Sequence, residues 1–400
     1  MGEYMFKNGF TILLVLAAGA WRLSADGAND EQSGINRPVT SQEIDQLKRE
    51  ISDSSSSNVQ GILEYHAENG DLNNRLDFWR YGGQINYHWN PDTMVYLRAT
   101  RTSYLTIGGA LDEHGFNGTI GVRTSLSEAI NLQVEAGDTR FSTDSSTINA
   151  LGTLRVTASG RSTLYLTGSR TNVEESLLSA TGIRPIFGPF AGQLVGRVMD
   201  NRAVGGGLLK LTQRFDISAE GGGGARTGHN IDINGFGTAS ASAGFNLIAD
   251  SEESSLSLVR ASYSLDYYGF AEDLLGYGGA SLTDRRGRPI PVPLLGADGI
   301  SPIASPGHPG VGGYFSPQAF VSNVGRLELR GRLHPKVLYD VSGFVGAQDY
   351  TGSPSRLASG FFSSVTLRLS DRFSVPVSYV YDNVGPYTQQ SLFARVAVKF

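Results

Sequence analysis

The sequence predicts an all-β fold: a transmembrane, antiparallel, up-and-down β-barrel of about sixteen strands, with a short N-terminal periplasmic segment. Three observations predict it. The first is strict two-residue alternation near the C-terminus. Val365, Leu367, Leu369, then Phe373, Val375, Val377, Tyr379, Tyr381, then Leu392, Ala394, Val396, Val398 and Phe400 are all apolar. The opposite parity carries Thr366, Arg368, Ser374, Pro376, Ser378, Val380, Phe393, Arg395, Ala397 and Lys399, of which only Val380, Phe393 and Ala397 are apolar. Alternate residues of a strand point to opposite faces, so these strands have one dry and one wet side. The second observation is a sorting of connections into tight and long ones, turn about. The third is composition. Hydrophobic residues make up 40% of the chain, below the roughly 45–50% of soluble domains. The 51 glycines and 19 Phe with 17 Tyr suit a wall that is apolar outside and lined with small and polar groups inside.

The chain starts with Lys7 ahead of the apolar run Phe10–Ala18 and the small-residue sites Ala18-Gly19-Ala20 and Ser24-Ala25. That run falls short of the about 20 residues a spanning helix needs. Residues 1–25 therefore read as a secretory signal peptide. Residues 26–56 are polar. Within them Thr40-Ser41-Gln42-Glu43 has the form of a capping box, opening a short helix. This segment reads as a periplasmic linker, with the helix as a spacer or a pore plug.

From residue 57 to 400 the text is strand, turn, strand. The expected strands are 57–68, 76–90, 93–106, 114–125, 128–139, 146–158, 162–172, 203–214, 216–226, 231–248, 253–269, 316–332, 335–349, 358–370, 372–384 and 388–400. Every second connection is tight: Asn90-Pro91-Asp92, Leu126-Ser127, Gly160-Arg161, Phe215, Ala249-Asp250, His334-Pro335 and Asp371. Those between them include the long 173–202 and 270–315. Outer-membrane barrels have short periplasmic turns and longer extracellular loops. A Gram-negative outer-membrane location follows, with both strand termini on the periplasmic side. Tyr267, Tyr268, Tyr379 and Tyr381 are candidates for interfacial girdles. Pro376 lacks the N–H of a closed ladder, so mispairing or a bulge is expected there. The runs Gly205–Gly207 and Gly221–Gly224 open no helix and carry no P-loop Lys, so they read as wall curvature or lumen space.

Candidate chemistry is sparse. The chain has no cysteine, which removes disulfides, thiolate metal sites and Cys nucleophiles. The histidines, His66, His88, His114, His229, His308 and His334, show no metal-ligand spacing. No catalytic residue, metal or cofactor is expected, and the chain reads as no enzyme. A net charge of −5 argues against nucleic acid as a partner.

The informative set is the polar parity, which should face a watery lumen. It comprises Arg98, Arg155, Arg326, Glu328, Arg330, Arg332, Asp340, Arg368 and Arg395, with Tyr96, Tyr165, Phe344 and Phe393 on the same parity. Glu135, Lys210 and Lys399 share it. A charge facing lipid at mid-depth costs about 2–4 kcal/mol; facing water it costs little and sets selectivity. Arg326-x-Glu328-x-Arg330-x-Arg332 is either a constriction for an anionic or hydroxyl-rich solute or a salt-bridge ladder that stiffens the wall. The aromatics offer faces for sugar rings, or fill gaps.

The Gly- and Pro-rich stretch 270–315, a lid or an outer loop, ends in Gly312-Gly313-Tyr314-Phe315-Ser316-Pro317-Gln318-Ala319-Phe320. This segment resembles one in the C-terminal barrel domain of cellulose synthase operon protein C and related exopolysaccharide export porins. There a similar Gly-Tyr-Phe-Ser-Pro-Gln enters a late strand after a long loop. The resemblance implies a sixteen-stranded outer-membrane porin that releases a cellulose-like β-glucan or related polysaccharide made at the inner membrane. It also implies partners: outer-membrane lipid, the secreted polymer, an inner-membrane synthase and a tetratricopeptide scaffold. The scaffold would be a separate protein, since only residues 26–56 stand before the barrel. The alternatives are a general or anion-selective porin, a non-conducting adhesin or anchor using loops 173–202 and 270–315, and a lipase with a Ser–His pair at the lipid rim.

Overall fold

The computed structural model describes residues 59–70, 77–105, 112–142, 146–175, 177–182, 197–228, 231–249, 254–272, 282–283, 289–290, 314–351, 353–385 and 387–400. The expected signal peptide, 1–25, and the expected linker helix within 26–56 lie outside these residues.

Alternation builds long strands. They are β1 (Val59–Gly70), β2 (Asp77–Asn90), β3 (Thr93–Leu105), β4 (Asp112–Ser127), β5 (Ile130–Phe141), β6 (Thr147–Ser159), β7 (Ser162–Asn172), β8 (Met199–Lys210), β9 (Phe215–Gly228), β10 (Ile231–Ala249) and β11 (Leu258–Phe270). After the two-residue pair β12 (Leu282–Thr283) and β13 (Pro289–Ile290) come β14 (Phe320–His334), β15 (Val337–Tyr350), β16 (Arg356–Ser370), β17 (Phe373–Val384) and β18 (Tyr387–Lys399). A short helix, α1 (Leu177–Thr181), sits between β7 and β8. All strands but β12 and β13 form one closed barrel in which β1 pairs with β18. Closure satisfies the backbone groups that lipid cannot.

The register keeps one parity outward around the ring. Leu63 faces Gly83 and Val396, Leu97 faces Ile120, Val134 faces Val122, and Leu327 faces Ala261. Leu63, Ile85, Leu97, Ile120, Leu166, Leu265 and Val345 are correspondingly exposed, which in this fold means exposed to lipid. Phe400 closes the seam, its N–H donating to the Val59 carbonyl at 3.0 Å.

Tight turns cluster at one end, as the sequence indicates, but several fall a few residues away. The β8–β9 turn is Leu211–Arg214 rather than Phe215. The Thr212 hydroxyl accepts from the Arg214 and Phe215 amides at 3.1 and 2.9 Å, and this local bonding competes with the ladder. The β10–β11 connection is longer than Ala249-Asp250, because β11 begins only at Leu258. A register shift lies between Asn246 and Ile248. Pro376 interrupts pairing without shifting it: β17 meets β18 at Ser374–Ala397 and next at Val377–Ala394. Tyr267 and Tyr379 sit on the outward parity, but Tyr268 points inward, 5% exposed and stacked on Phe320 at 4.6 Å. Some glycines are obligatory for close strand approach. A Cβ at Gly224 would fall 2.0 Å from the Asn201 carbonyl oxygen.

Candidate functional site

All thirteen residues singled out for the lumen lie on the inward parity. Around the wall they form local sets rather than a single ring. Arg98 pairs with Glu135 at 3.6 Å. Arg330 lies between Glu328 and Asp340, 3.1 Å from each. Arg395 reaches Glu64 at 3.7 Å and lies 5.1 Å from the Phe393 ring. Arg326 stacks over Phe344 at 5.4 Å. Arg155 takes its place opposite Asn131 and Tyr165, Arg332 opposite Leu338, and Arg368 opposite Ser374. Outside the expected set, Arg260 grips Asp216 through two bonds of 2.6 and 2.7 Å. Within the 326–332 group, Arg330 is thus matched by two carboxylates on two strands. The guanidiniums are largely matched by carboxylates or aromatic faces on the same wall.

The aromatics are built into the wall by glycines on the neighbouring strand. Tyr96 pairs with Gly121, Tyr165 with Gly206 and Phe344 with Gly360. In each case a Cβ on the glycine would strike the ring. The Tyr96 hydroxyl donates to Glu135, and that of Tyr165 to Glu220. Tyr96 is then covered by Arg123, 5.4 Å over its ring, and is only 2% exposed. Its face is not offered to the lumen, so of the two roles expected for these aromatics Tyr96 takes the gap-filling one. Tyr165, Phe344 and Phe393 remain partly exposed.

A second organised region lies at the loop end of the barrel, which is the extracellular end. The β7–β8 connection turns inward immediately after Asn172. The Glu174 carboxylate accepts from Arg80 of β2 at 2.6 Å and from the Tyr104 hydroxyl of β3. The next residue, Glu175, accepts from Arg226 of β9 at 2.6 Å and from the Phe315 amide at 2.8 Å. β2 and β9 stand on nearly opposite sides of the ring. Two consecutive carboxylates thus tie opposite walls together.

Behind each anchor is a packed layer. On one side Phe78, Tyr104, Phe141 and Ala180 form a buried cluster, and Arg197 stacks on Phe141 at 3.8 Å. On the other side Arg226, 1% exposed, lies between the faces of Phe270 and Tyr314 at 4.9 and 4.7 Å. Asp200 stands 3.4 Å from its Nε. Phe315 packs edge-on against Tyr268, Phe320 and Tyr350. Burial pushes the Tyr314 phenol up to about 12, so it stays a neutral wall against the guanidinium. The end of the 270–315 stretch is therefore folded into the barrel mouth, before β14 rather than within it. Most of that stretch lies outside the described residues. Sequence reading passed over Arg80, Glu174, Glu175, Asp200 and Arg226. The available signals were the Glu174-Glu175 doublet inside a long connection and the Tyr314-Phe315 pair in the motif already quoted. Among the described residues no cluster of acidic or imidazole groups has the makings of a metal site.

Residues 89–279 match the family model described as cellulose synthase operon protein C C-terminus, which bears out the resemblance drawn from the motif at 312–320, itself outside the matched stretch. No curated protein matches by sequence. Among solved structures, one titled "Bacterial polysaccharide outer membrane secretin" is similar at 11% identity and a TM-score of 0.59, covering 86% of this chain and 99% of that one. Pseudomonas aeruginosa OprD aligns at 11% identity and a TM-score of 0.40, covering 86% and 95%. The chain is a closed sixteen-stranded barrel with the fold of Gram-negative outer-membrane proteins.

Proposed function

We propose that this outer-membrane channel exports a polysaccharide, a cellulose-like β-glucan or a related polymer, through its hydrated lumen. The observation that carries the reading is the match of residues 89–279 to the cellulose synthase operon protein C family. The wall chemistry supports it. A hydroxyl-rich chain sliding past needs many weak, exchangeable partners and no deep well. The inner face offers half-buried side-chain amides in rows, such as Gln60, Gln84, Asn117 and Asn149. Tyr165, Phe344 and Phe393 add ring faces. Arg98, Arg330 and Arg395 each have a carboxylate beside them, which favours an uncharged polymer over a polyanion.

The barrel carries no energy source, so the polymer is pushed by its synthesis. A periplasmic tetratricopeptide scaffold would link the barrel to an inner-membrane synthase. The test is ion conductance of the purified protein in planar bilayers, with soluble β-glucan oligomers or anionic polysaccharide added to one side. Block by the neutral oligomers at low concentration is expected. Indifference to every polymer, with conductance set by small-ion size alone, would refute polymer export in favour of a general porin.

A further inference from the structure

We propose that the outer wall of β1–β5 holds one lipid of the outer leaflet by its phosphorylated headgroup, with the anion on Arg101 and Arg140 and an acyl chain in the groove beneath them. The site lies on the lipid side of the barrel and stands whichever solute passes through the lumen.

Charge on this face is sparse and concentrated. Among the described strand residues the arginines of the outward parity are Arg101, Arg140 and Arg170, on β3, β5 and β7, and no lysine joins them. Depth follows from β2. It presents Trp79 and Tyr81 towards the loop end and Tyr87 and Trp89 towards the tight turns, all exposed. At ordinary strand rise and tilt Trp79 and Trp89 stand about 25 Å apart in height, which is an apolar band with an aromatic girdle at each edge. Arg101 lies directly opposite Tyr81, and so at the outer girdle, where headgroups begin.

A row of facing residues runs Tyr81, Arg101, Phe116, Arg140 across β2 to β5. Both arginines are exposed. Their backbones are about 10 Å apart, two strand spacings, so both guanidiniums reach one anion held over Phe116. The Arg101 guanidinium has no hydrogen bond or ion pair with a described residue. Arg140 gives only its Nε, to Asp138 at 2.9 Å. Arg170 differs, since its Nε donates to the Ile148 carbonyl at 3.1 Å and its Nη1 to Asn201. Of the acids on this face, Asp138 is already on Arg140, and Asp77 accepts from Asn69 at 2.7 Å. Guanidinium forks left over at headgroup level match a phosphate.

The row below is small. Gly83, Ala99 and Gly118 face one another directly beneath Tyr81, Arg101 and Phe116. Leu63, Ile85, Leu97 and Ile120 rim them, and the wall here forms an apolar groove of about 860 Å³. Sites that enclose a small molecule measure about 300–1,000 Å³. A free cationic pair above an apolar groove has the two-part chemistry of an anionic lipid. A soluble anion would leave the groove empty. A second copy of this chain, packed by two-fold symmetry, would set arginine against arginine.

The test is native mass spectrometry of the full chain in neutral detergent, titrated with lipid A carrying both phosphates or with the same lipid dephosphorylated. Heat-modifiable gel migration checks folding. One diphosphorylated lipid per barrel should be retained, and the dephosphorylated lipid about a hundredfold more weakly. Arg101→Gln should weaken retention about tenfold, the worth of one hydrogen bond to a charged group, and Arg101→Gln with Arg140→Gln about a hundredfold. Gly118→Leu fills the groove from a position where an added Cβ meets nothing within 4 Å, so the barrel should fold and retention should fall about tenfold. Arg170→Gln should bind like the parent. Equal retention of the two lipids, a folded Arg101→Gln or Gly118→Leu barrel that binds like the parent, or a loss in Arg170→Gln equal to that in Arg101→Gln would each overturn the inference. So would a dimeric parent that Gly118→Leu separates, which would give the groove to a second copy. Conductance and polymer block are read separately, so loss of the export reading leaves the lipid site standing, and the reverse.

Discussion

Replacing Arg226 by methionine tests whether the mouth is held by one charged node. The side chain is 1% exposed and bonds Glu175 at 2.6 Å. Methionine fills much of the same space between Phe270 and Tyr314 but offers no charge. Breaking a buried pair by removing one partner costs about 3–5 kcal/mol, because the other charge is stranded. Here Asp200 is not stranded, since Arg202 still donates to both of its oxygens at 3.0 and 2.7 Å. Only Glu175 is, which places the loss near the lower limit, about 3 kcal/mol. That energy belongs to docking of the inward segments and not to the ladder. It should appear as local opening. Hydrogen exchange of peptides covering 173–182 and 314–319 should quicken by about a hundredfold, at 1.4 kcal/mol per factor of ten. Peptides from β5 and β16 should stay as protected as in the parent. Unchanged protection at 173–182 would show that packing, and not the ion pair, holds the segment. Loss of protection everywhere would show that the node supports the whole barrel.

Two further outcomes are expected. Gly121→Ala places a Cβ 2.2 Å from the Tyr96 ring, forcing the ring off Glu135. It should cost about 2 kcal/mol in urea unfolding in lipid vesicles, followed by Trp79 and Trp89 fluorescence, and Tyr96→Ala in the same chain should recover most of the loss. Glu328→Gln with Asp340→Asn leaves Arg330 without its two carboxylates and should shift the reversal potential in a KCl gradient toward anion selectivity, whereas Arg330→Ala alone should shift it toward cations; no shift in either would place these groups off the ion path.

What the sequence determined by itself was the wall. Period two is a property of every extended backbone, and a membrane admits strands only as a closed sheet. The inward parity of Arg98, Tyr165, Arg330 and Arg395 could therefore be read without knowing a single neighbour. Turn positions were legible to within a few residues and failed where a side chain captured the backbone, as Thr212 does at Leu211–Arg214. What only the tertiary structure decided was the mouth. Arg80 and Glu174 are 94 residues apart, and Glu175 and Phe315 are 140 apart. No local pattern encodes such pairs, because charge attraction depends on distance in space, and that distance is set by how the ring of strands closes. The same closure brought Asp340 beside Arg330, a pairing that the Arg326–Arg332 run does not itself encode.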